Sequence, residues 1–238
     1  MTQAMAGKRV MGIFAHPDDP EFFCGATFAR WAAEGAEIIF VLATSGDKGS
    51  SDPEMTSERL VAIRENEERC AAAKLGVKDV IFLRHRDGEL TPSLELRRDI
   101  VRAIRMYKPD IVVTLDPTVF WWGDRGVNHP DHRAIGEATL AAVYPTARDR
   151  LNFPEQEREE GLESHKVKYL YISGTQSPNV WVDVTDYVET KIESLHEHKS
   201  QIADMEKMAE RIRGNRDPEA PPDVVRYVDS FRLITFDR

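Results

Sequence analysis

Two short stretches, far apart in the chain, each combine histidine, proline and aspartate. The first is His16-Pro17-Asp18-Asp19 and the second is His129-Pro130-Asp131-His132. In each stretch a proline directly follows a histidine and holds that histidine extended, and another potential ligand stands three residues after it, on the same face of a helical turn. Imidazole and carboxylate groups are ligands of metal ions such as zinc. Together the stretches predict one shared metal site.

These side chains are sufficient for hydrolytic zinc chemistry. Catalytic zinc takes three protein ligands and keeps one position for water, and two histidines with one aspartate supply the three. A second carboxylate can accept the proton of that water, and a histidine across the site can assist the oxyanion or the leaving group. Spacing leaves open which of Asp18 and Asp19 binds the metal. The competing interpretation is two unrelated polar turns, with Asp131 stabilising a helix N-terminus.

The segments around these stretches alternate between strand and helix patterns. Short apolar runs typical of buried strands are separated by longer segments with helical spacing or helix caps. The predicted strands are 9–14, 36–43, 79–83 and 111–115, and the predicted helices are 24–34, 57–75 and 93–107. This alternation predicts an α/β fold, a three-layer α/β/α sandwich with a Rossmann-like, mostly parallel sheet.

The same pattern predicts where the site lies. Ligands bind at the carboxyl ends of parallel strands, so we expect the site at the ends of the first and fourth strands. No G-x-G-x-x-G pattern follows the first strand, which argues against a dinucleotide cofactor.

The second half of the chain is less regular. We expect a helix over 130–143, an irregular charged segment over 144–166 that forms a mobile surface loop or a flap, and strands over 167–172 and 179–184. A long charged helix is predicted from Thr185 to about Arg213, followed by a Pro-rich linker over 215–223 and a last strand over 227–236. The expectation is a single domain over 1–238, with about 185–238 packed on it as C-terminal helix, linker and strand.

Composition and charge indicate which kinds of partner and which cellular compartment to expect. The chain has 238 residues, 41% of them hydrophobic and 31% charged, and a formal net charge of −9. A nucleic-acid partner is not expected, because a backbone binder needs a basic face. No apolar run approaches the roughly 18 residues of a membrane span, residues 1–7 contain no apolar signal core, and Cys24 and Cys70 suggest no disulfide framework. We expect a soluble, cytoplasmic protein.

The motifs resemble those of the LmbE-like or PIG-L-like de-N-acetylases, zinc amidohydrolases that act on N-acetylglucosamine-containing compounds. The resemblance covers about residues 10–201 and departs from many relatives at Gly25-Ala26, where they have Gly-Gly. It is carried by the paired HPDD and HPDH motifs together with several weaker ones. The weaker ones are Glu21 and Gly25, Thr44–Gly49, Arg64 with Glu67, Leu75–Val77, Asp87-Gly88 and His198–Gln201.

The resemblance implies a specific role for each of the motif residues. It identifies His16, Asp19 and His132 as the ligands of Zn²⁺ and Asp18 as the general base. His129 would assist the oxyanion or the leaving amine, with Asp131 setting its charge. The implied activity is removal of an acetyl group from an N-acetylglucosamine-type amide. The alternatives are a zinc hydrolase of a different acylated amine or ester, a nucleotide-dependent enzyme of the doubly wound class, and a non-catalytic sugar-binding protein.

The resemblance also implies substrate contacts. Arg64, Asp47 and Asp87 match positions that face the sugar or its aglycone in relatives, although Arg64 could instead pair with Glu67 or Glu68 on its own helix, or with a nearby loop. His198 is expected to be solvated in the long charged helix, whereas the resemblance places its motif near the site. The implied partner is a small-molecule N-acetylated sugar conjugate, and the implied assembly is a homo-oligomer, a trimer or a hexamer. Trp121-Trp122 would form a sugar platform, a subunit contact or a loop packed onto the core.

Overall fold

Seven strands form one sheet in the computed structural model, which describes residues 4–124 and 126–236. The strands are β1 (Arg9–Phe14), β2 (Glu37–Thr44), β3 (Asp79–His85), β4 (Ile111–Leu115), β5 (Tyr169–Ser173), β6 (Val180–Asp183) and β7 (Val228–Thr235). Their order across the sheet is β3-β2-β1-β4-β5-β7-β6. Neighbours from β3 to β5 are parallel, and β7 is antiparallel to both β5 and β6. The predicted α/β fold with a mostly parallel sheet is therefore confirmed.

Helices cover the sheet in two groups. The helices are α1 (Asp19–Ala33), α2 (Ser57–Lys74), α3 (Leu94–Tyr107), α4 (Pro130–Ala141), α5 (Pro154–Arg158), α6 (Val188–Leu195) and α7 (Met205–Gly214). One group is α1, α2 and α6, which pack on one another, and the other is α3 with α4. Layers of helix, sheet and helix follow from these contacts.

The central strands have little tolerance for polar or larger residues. Almost every residue of β1, β2 and β4 is buried, as expected for parallel strands covered on both faces. At Gly12 in β1, an added Cβ would lie 2.9 Å from the Phe40 ring and 3.1 Å from the Phe28 ring. Because these rings pack against the backbone there, only glycine fits without displacing them.

The predicted long helix over 185–213 is wrong. A 3-10 turn covers Thr185–Tyr187, α6 ends at Leu195, and α7 begins only at Met205. Between them the chain folds back onto α2, where the backbone N–H and the hydroxyl of Ser200 donate to Glu67 at 2.8 and 2.6 Å. These long-range bonds satisfy polar groups that would otherwise continue the helix.

The start of the first helix and the structure of the segment 144–166 also differ from the prediction. The first helix begins at Asp19, inside the first motif, and passes through a non-helical residue at Cys24. The segment 144–166 contains the helix α5 and is anchored by Arg105, a buried residue of α3. The Arg105 guanidinium donates to five backbone carbonyls between residues 146 and 153. These bonds tie the segment to the core.

Within the described residues no helix combines the length and the apolar character that crossing a membrane requires. The cytoplasmic location stays a prediction.

Candidate active site

The carboxyl ends of β1 and β4 bring the two histidine motifs together. These strands are neighbours at the centre of the sheet, and the strand order changes direction between them, which is where α/β sheets bind ligands. His16 follows β1, and His129 and His132 stand where α4 begins. The His16 ring lies 4.7 Å from the His129 ring and 5.4 Å from the His132 ring, centre to centre. The fold therefore joins residues that are more than a hundred positions apart.

Asp19 lies between the two histidines of the predicted ligand set. One of its carboxylate oxygens is 3.4 Å from Nδ1 of His16, and the other is 2.9 Å from Nε2 of His132. The first oxygen also accepts the backbone N–H of His16 at 2.8 Å. The three side chains therefore present one carboxylate and two imidazole nitrogens to the same space.

The remaining nitrogen of each imidazole is held by a hydrogen-bond acceptor. Nδ1 of His132 lies 3.0 Å from the amide oxygen of Asn128, so it donates and leaves Nε2 with a lone pair. Nε2 of His16 lies 3.2 Å from carboxylate oxygens of both Asp87 and Asp131, which leaves Nδ1 to face Asp19. Histidine ligands of metals are oriented in this way by an acceptor on their far nitrogen.

Charge in the cleft favours a cation. Although burial disfavours an imidazolium, the neighbouring carboxylates of Asp19, Asp131 and Asp87 raise the pKa of His16 to about 12. Burial opposes ionisation of Asp19 as well, but His132 and His16 bring its pKa well below the ordinary value. The same carboxylates would favour a divalent metal ion in the place of that proton.

Potential metal-binding atoms converge in three places among the described residues. Two groups share His16, one with His129 and His132 and the other with Asp87 and Asp131, and the ligand atoms within each group lie within 4.8 Å of one another. The third group is separate and is described below. The donor set in the cleft therefore fits a zinc ion, since imidazole nitrogen and carboxylate oxygen are its usual ligands.

Asp131 is fully buried at the start of α4, and its carboxylate faces His16. It accepts the backbone N–H groups of Gly88 and Leu90 at 2.7 and 3.2 Å, in addition to the bond to His16. Its bond to His129 runs through its own backbone N–H, which donates to Nδ1 of that ring at 3.2 Å. The predicted influence of Asp131 on His129 stays a prediction, and the direct contact of its carboxylate is with His16.

His129 is exposed at the N-cap of α4 and lines the cleft. Because its Nδ1 accepts a hydrogen bond, a neutral ring carries its proton on Nε2. Burial, followed by the charge of His16, lowers the pKa of His129.

Asp18 stands beside the ligand set in an unusual backbone conformation. Its φ of 96° lies in the left-handed region, which is unfavourable for a residue with a Cβ. Burial and the charge of Asp19 raise its pKa to about 6, against the opposing effects of Arg64, His198 and His16. Its side chain remains 17% exposed and lines the cleft. The role of Asp18 as the general base stays a prediction.

Arg64 reaches from α2 into the cleft rather than pairing along its own helix. Its guanidinium donates to the carbonyl of Gly46 at 3.1 Å, to the carbonyl of Pro17 at 2.7 Å, and to the carboxylate of Asp18 at 3.3 Å. The alternative of a pair with Glu67 or Glu68 is therefore not what the structure shows. Arg64 lines the cleft and holds its two loops.

Asp47 and Asp87 link the loop of Gly46 to the loop that follows β3. The Asp47 carboxylate accepts the backbone N–H of Asp87 at 3.1 Å, and the Asp87 carboxylate accepts that of Lys48 at 3.2 Å. Burial opposes ionisation of Asp87, but its bond to His16 lowers its pKa to about 2. Asp87 lines the cleft, and contact of either aspartate with substrate stays a prediction.

The cleft is an open depression of about 420 Å³ with one aromatic wall. Phe23 lines it, with its ring centre 5.5 Å from that of His132 and 6.4 Å from that of Trp122. Trp122 thus lies on the core side of its loop and is 37% exposed, whereas Trp121 is 62% exposed. Of the two tryptophans, only Trp122 extends the aromatic wall.

A second cluster of ionisable residues was missed by the sequence interpretation. Glu21 on α1, Glu68 on α2 and His198 after α6 have fully buried side chains, so the predicted solvation of His198 is wrong. Nε2 of His198 lies 3.4 Å from a Glu21 oxygen and 3.9 Å from a Glu68 oxygen. Burial, more than the neighbouring acids, raises the pKa of Glu21 to about 8 and that of Glu68 well above its usual range.

Sequence held a partial signal for this cluster. Glu21 and His198 lie within motifs of the family resemblance, and Glu68 is next to the glutamate of another. The helical pattern of α2 alone gives no reason to bury Glu68, and the expected long helix directed His198 outward. Only the break after α6 turns His198 inward.

Comparison with known proteins identifies the family of this chain. A family model described as PIG-L, GlcNAc-PI de-N-acetylase, matches residues 11–143. The chain is 33% identical over 195 residues to a diacetylchitobiose deacetylase of Thermococcus kodakarensis, a match that covers 82% of this chain and 70% of that protein. It is 31% identical over 204 residues to a probable N-acetyl-alpha-D-glucosaminyl L-malate deacetylase 2 of Bacillus anthracis, with 82% of each covered.

Solved structures give the same result. The N,N′-diacetylchitobiose deacetylase from Pyrococcus horikoshii, in complex with its inhibitor, matches with a TM-score of 0.84 and 33% identity. The match covers 96% of this chain and 84% of that one. The resemblance inferred from the paired motifs is confirmed, and the chain belongs to the PIG-L family.

Proposed function

We propose that this chain is a zinc-dependent hydrolase that removes the acetyl group from an N-acetylglucosamine-type amide. The observation that carries the proposal is the orientation of two imidazoles. His16 and His132 each have one nitrogen bound to an acceptor and the other directed at Asp19. This arrangement prepares both rings as metal ligands.

His16, Asp19 and His132 would hold the ion, with Asp131 and Asp87 orienting His16 and Asn128 orienting His132. Bound zinc supplies a Lewis acid for the amide carbonyl and lowers the pKa of a coordinated water to about 7.

Asp18 acts as the general base in this proposal. Its carboxylate lies in the cleft next to the ligand set and is stabilised in the ionised form by Arg64 at 3.3 Å. It accepts the proton of the attacking water and later returns it toward the leaving amine.

His129 serves the opposite side of the reacting carbon. With its Nδ1 occupied by the backbone N–H of Asp131, its Nε2–H is available to donate toward the developing oxyanion or the departing amine. Exposure of His129 at the mouth of the cleft allows contact with substrate.

The substrate is proposed to be a small N-acetylated sugar conjugate. Relatives of this chain are named for the deacetylation of diacetylchitobiose and of N-acetylglucosaminyl malate. The Phe23–Trp122 wall offers an apolar face next to the reacting residues, and Asp47 with Asp87 and Arg64 offers polar groups for sugar hydroxyls on the other side. A homo-oligomer, trimer or hexamer, remains part of the proposal.

The test is acetate release with metal analysis. Purified protein is assayed against N,N′-diacetylchitobiose, N-acetylglucosaminyl malate and N-acetylglucosaminyl inositol, with p-nitrophenyl acetate and a non-sugar N-acetyl amine as comparison substrates. We expect about one zinc per chain and acetate release from at least one glucosaminide. Turnover restricted to the ester or to the non-sugar amine would assign the alternative hydrolase activity, and zinc-free protein with full activity would refute the metal role.

A further inference from the structure

The buried cluster Glu21, Glu68 and His198, called here the buried triad, is in contact with the proposed base through one bond. All three side chains are fully buried. Both oxygens of Glu21, one oxygen of Glu68 and both nitrogens of His198 have no hydrogen-bond partner among the described residues. The other Glu68 oxygen accepts the backbone N–H of Asp18 at 3.0 Å.

That bond acts on a peptide group that is held from both sides. Arg64 donates to the carbonyl of Pro17 at 2.7 Å, and Glu68 accepts the N–H of Asp18. The carbonyl and the N–H belong to the same planar peptide unit, so the two bonds fix its orientation. Arg64 and Glu68 stand four positions apart in α2 and therefore share one face of the helix.

The peptide unit needs such support. Asp18 has a φ of 96°, a conformation that costs free energy for any residue with a side chain and persists only where surrounding structure determines it. The neighbours of Asp18 within the motif, Pro17 and Asp19, do not supply a bond to its N–H. Rotation of this peptide unit would move the Asp18 carboxylate away from the ligand set.

Within the triad, His198 lies between the two glutamates and is closer to Glu21. An imidazole between two buried carboxyl groups compensates them electrostatically, and removing it leaves them without a polar neighbour of opposite character. His198 and Glu21 therefore keep the Glu68 side chain inside the protein, in reach of Asp18.

We propose that Glu68, supported by His198 and Glu21, is a positioning residue that holds the Pro17–Asp18 peptide unit and thereby aims the general base. This inference rests on the proposed function for the role of Asp18. The positioning itself is a statement about one backbone N–H and can be measured without activity.

The experiment compares Glu68→Leu with Glu68→Gln. Leucine fills the space but cannot accept the Asp18 N–H, whereas the glutamine amide oxygen can. Glu65→Leu is the matched control, because it removes bonds from the same helix to Ser45 and Arg84 rather than to Asp18. Each variant is measured for kcat, KM, zinc content, melting temperature, and hydrogen exchange at the Asp18 amide by NMR.

We expect Glu68→Leu to lower kcat by about 10²-fold, the cost of misplacing a reacting group by about an ångström, with KM and zinc content near those of the wild type. Its Asp18 amide should exchange faster, and Glu68→Gln should restore both kcat and protection. Glu65→Leu should keep both kcat and the protection of the Asp18 amide. His198→Leu should give a smaller loss of kcat in the same direction, since Glu68 itself remains.

Three results would overturn the inference. These are unchanged kcat in Glu68→Leu, unchanged Asp18 exchange in that variant, or failure of Glu68→Gln to restore either property. If the wild-type protein releases no acetate from any glucosaminide, the proposed function fails, and the exchange measurement still decides whether Glu68 holds the Asp18 peptide. Normal wild-type activity together with unchanged kcat and unchanged Asp18 exchange in Glu68→Leu would refute the positioning role and leave the proposed function unaffected.

Discussion

The cleft and the buried triad are built from the same side-chain types but in opposite surroundings. In the cleft, His16 and His132 each have an acceptor on one nitrogen and direct the other nitrogen at Asp19. In the triad, His198 has no hydrogen-bond partner on either nitrogen within the described residues. This difference shows that histidine and carboxylate groups lying close together are not enough to identify a reacting site. Oriented imidazole nitrogens and access to solvent distinguish the proposed reacting cluster from the proposed supporting one.

The largest effect is expected at the ligands themselves. His132→Ala should abolish both zinc binding and turnover, because it removes one of three proposed ligands. Asp18→Ala should keep zinc near one equivalent and lower kcat by about 10²- to 10⁴-fold, the usual contribution of a general base. Metal analysis and steady-state kinetics on both variants check that His132 is a metal ligand and that Asp18 is the general base. Near-normal turnover of zinc-loaded Asp18→Ala would remove Asp18 from its role.

The orientation of His16 can be tested at its far nitrogen. Asp131→Asn should weaken zinc affinity by about 10- to 100-fold, as is typical when a residue that orients a ligand is changed. The control is Asp99→Asn, since Asp99 forms a similar bond to His85, 2.8 Å long, outside the cleft. Competition with a fluorescent chelator gives the affinities. Equal affinities of the two variants would show that the bond between Asp131 and His16 has no influence on the metal.

The triad is expected to affect stability without affecting metal content. His198→Ala should lower the free energy of unfolding by about 1–3 kcal/mol, because it leaves two buried carboxyl groups without their shared polar neighbour. His196→Ala, in the same turn but exposed, should change it by less than about 0.5 kcal/mol. Urea unfolding followed by circular dichroism measures both. Loss of a second metal equivalent in His198→Ala would identify the triad as a metal site, like the cleft, and would contradict the proposed difference between the two clusters.

The smallest effect is expected at the rim of the cleft. Trp122→Ala should raise KM for a glucosaminide by about three- to tenfold with little change in kcat, because an aromatic contact contributes about 1 kcal/mol. Trp121→Ala should leave KM unchanged, since its ring lies away from Phe23 and is 62% exposed. Steady-state kinetics on one substrate separates them. A KM effect of Trp121 equal to that of Trp122 would place the sugar elsewhere on the loop.

Local signals explain the part of the structure that could be predicted. The bounds of β4 agree with the prediction, and the helix predicted over 93–107 is found as α3 with Ser93 as its N-cap, because apolar runs and cap residues act over a few positions. The prediction of a long helix over 185–213 was wrong because a contact between distant residues decides where that helix ends. Its charged pattern fits a helix, but bonds from Ser200 to Glu67, 133 residues away, interrupt it.

By itself the sequence determined the strand–helix alternation, and with it the edge of the sheet where the HPDD and HPDH motifs meet. It also determined which residue types the cleft would contain, since proline fixes the backbone next to each leading histidine. Only the tertiary structure decided which nitrogen of His16 and of His132 faces Asp19, and that Glu68 accepts a bond from Asp18 across 50 residues. Hydrogen-bond direction and burial depend on packing between distant segments, and no local pattern in the chain contains that information.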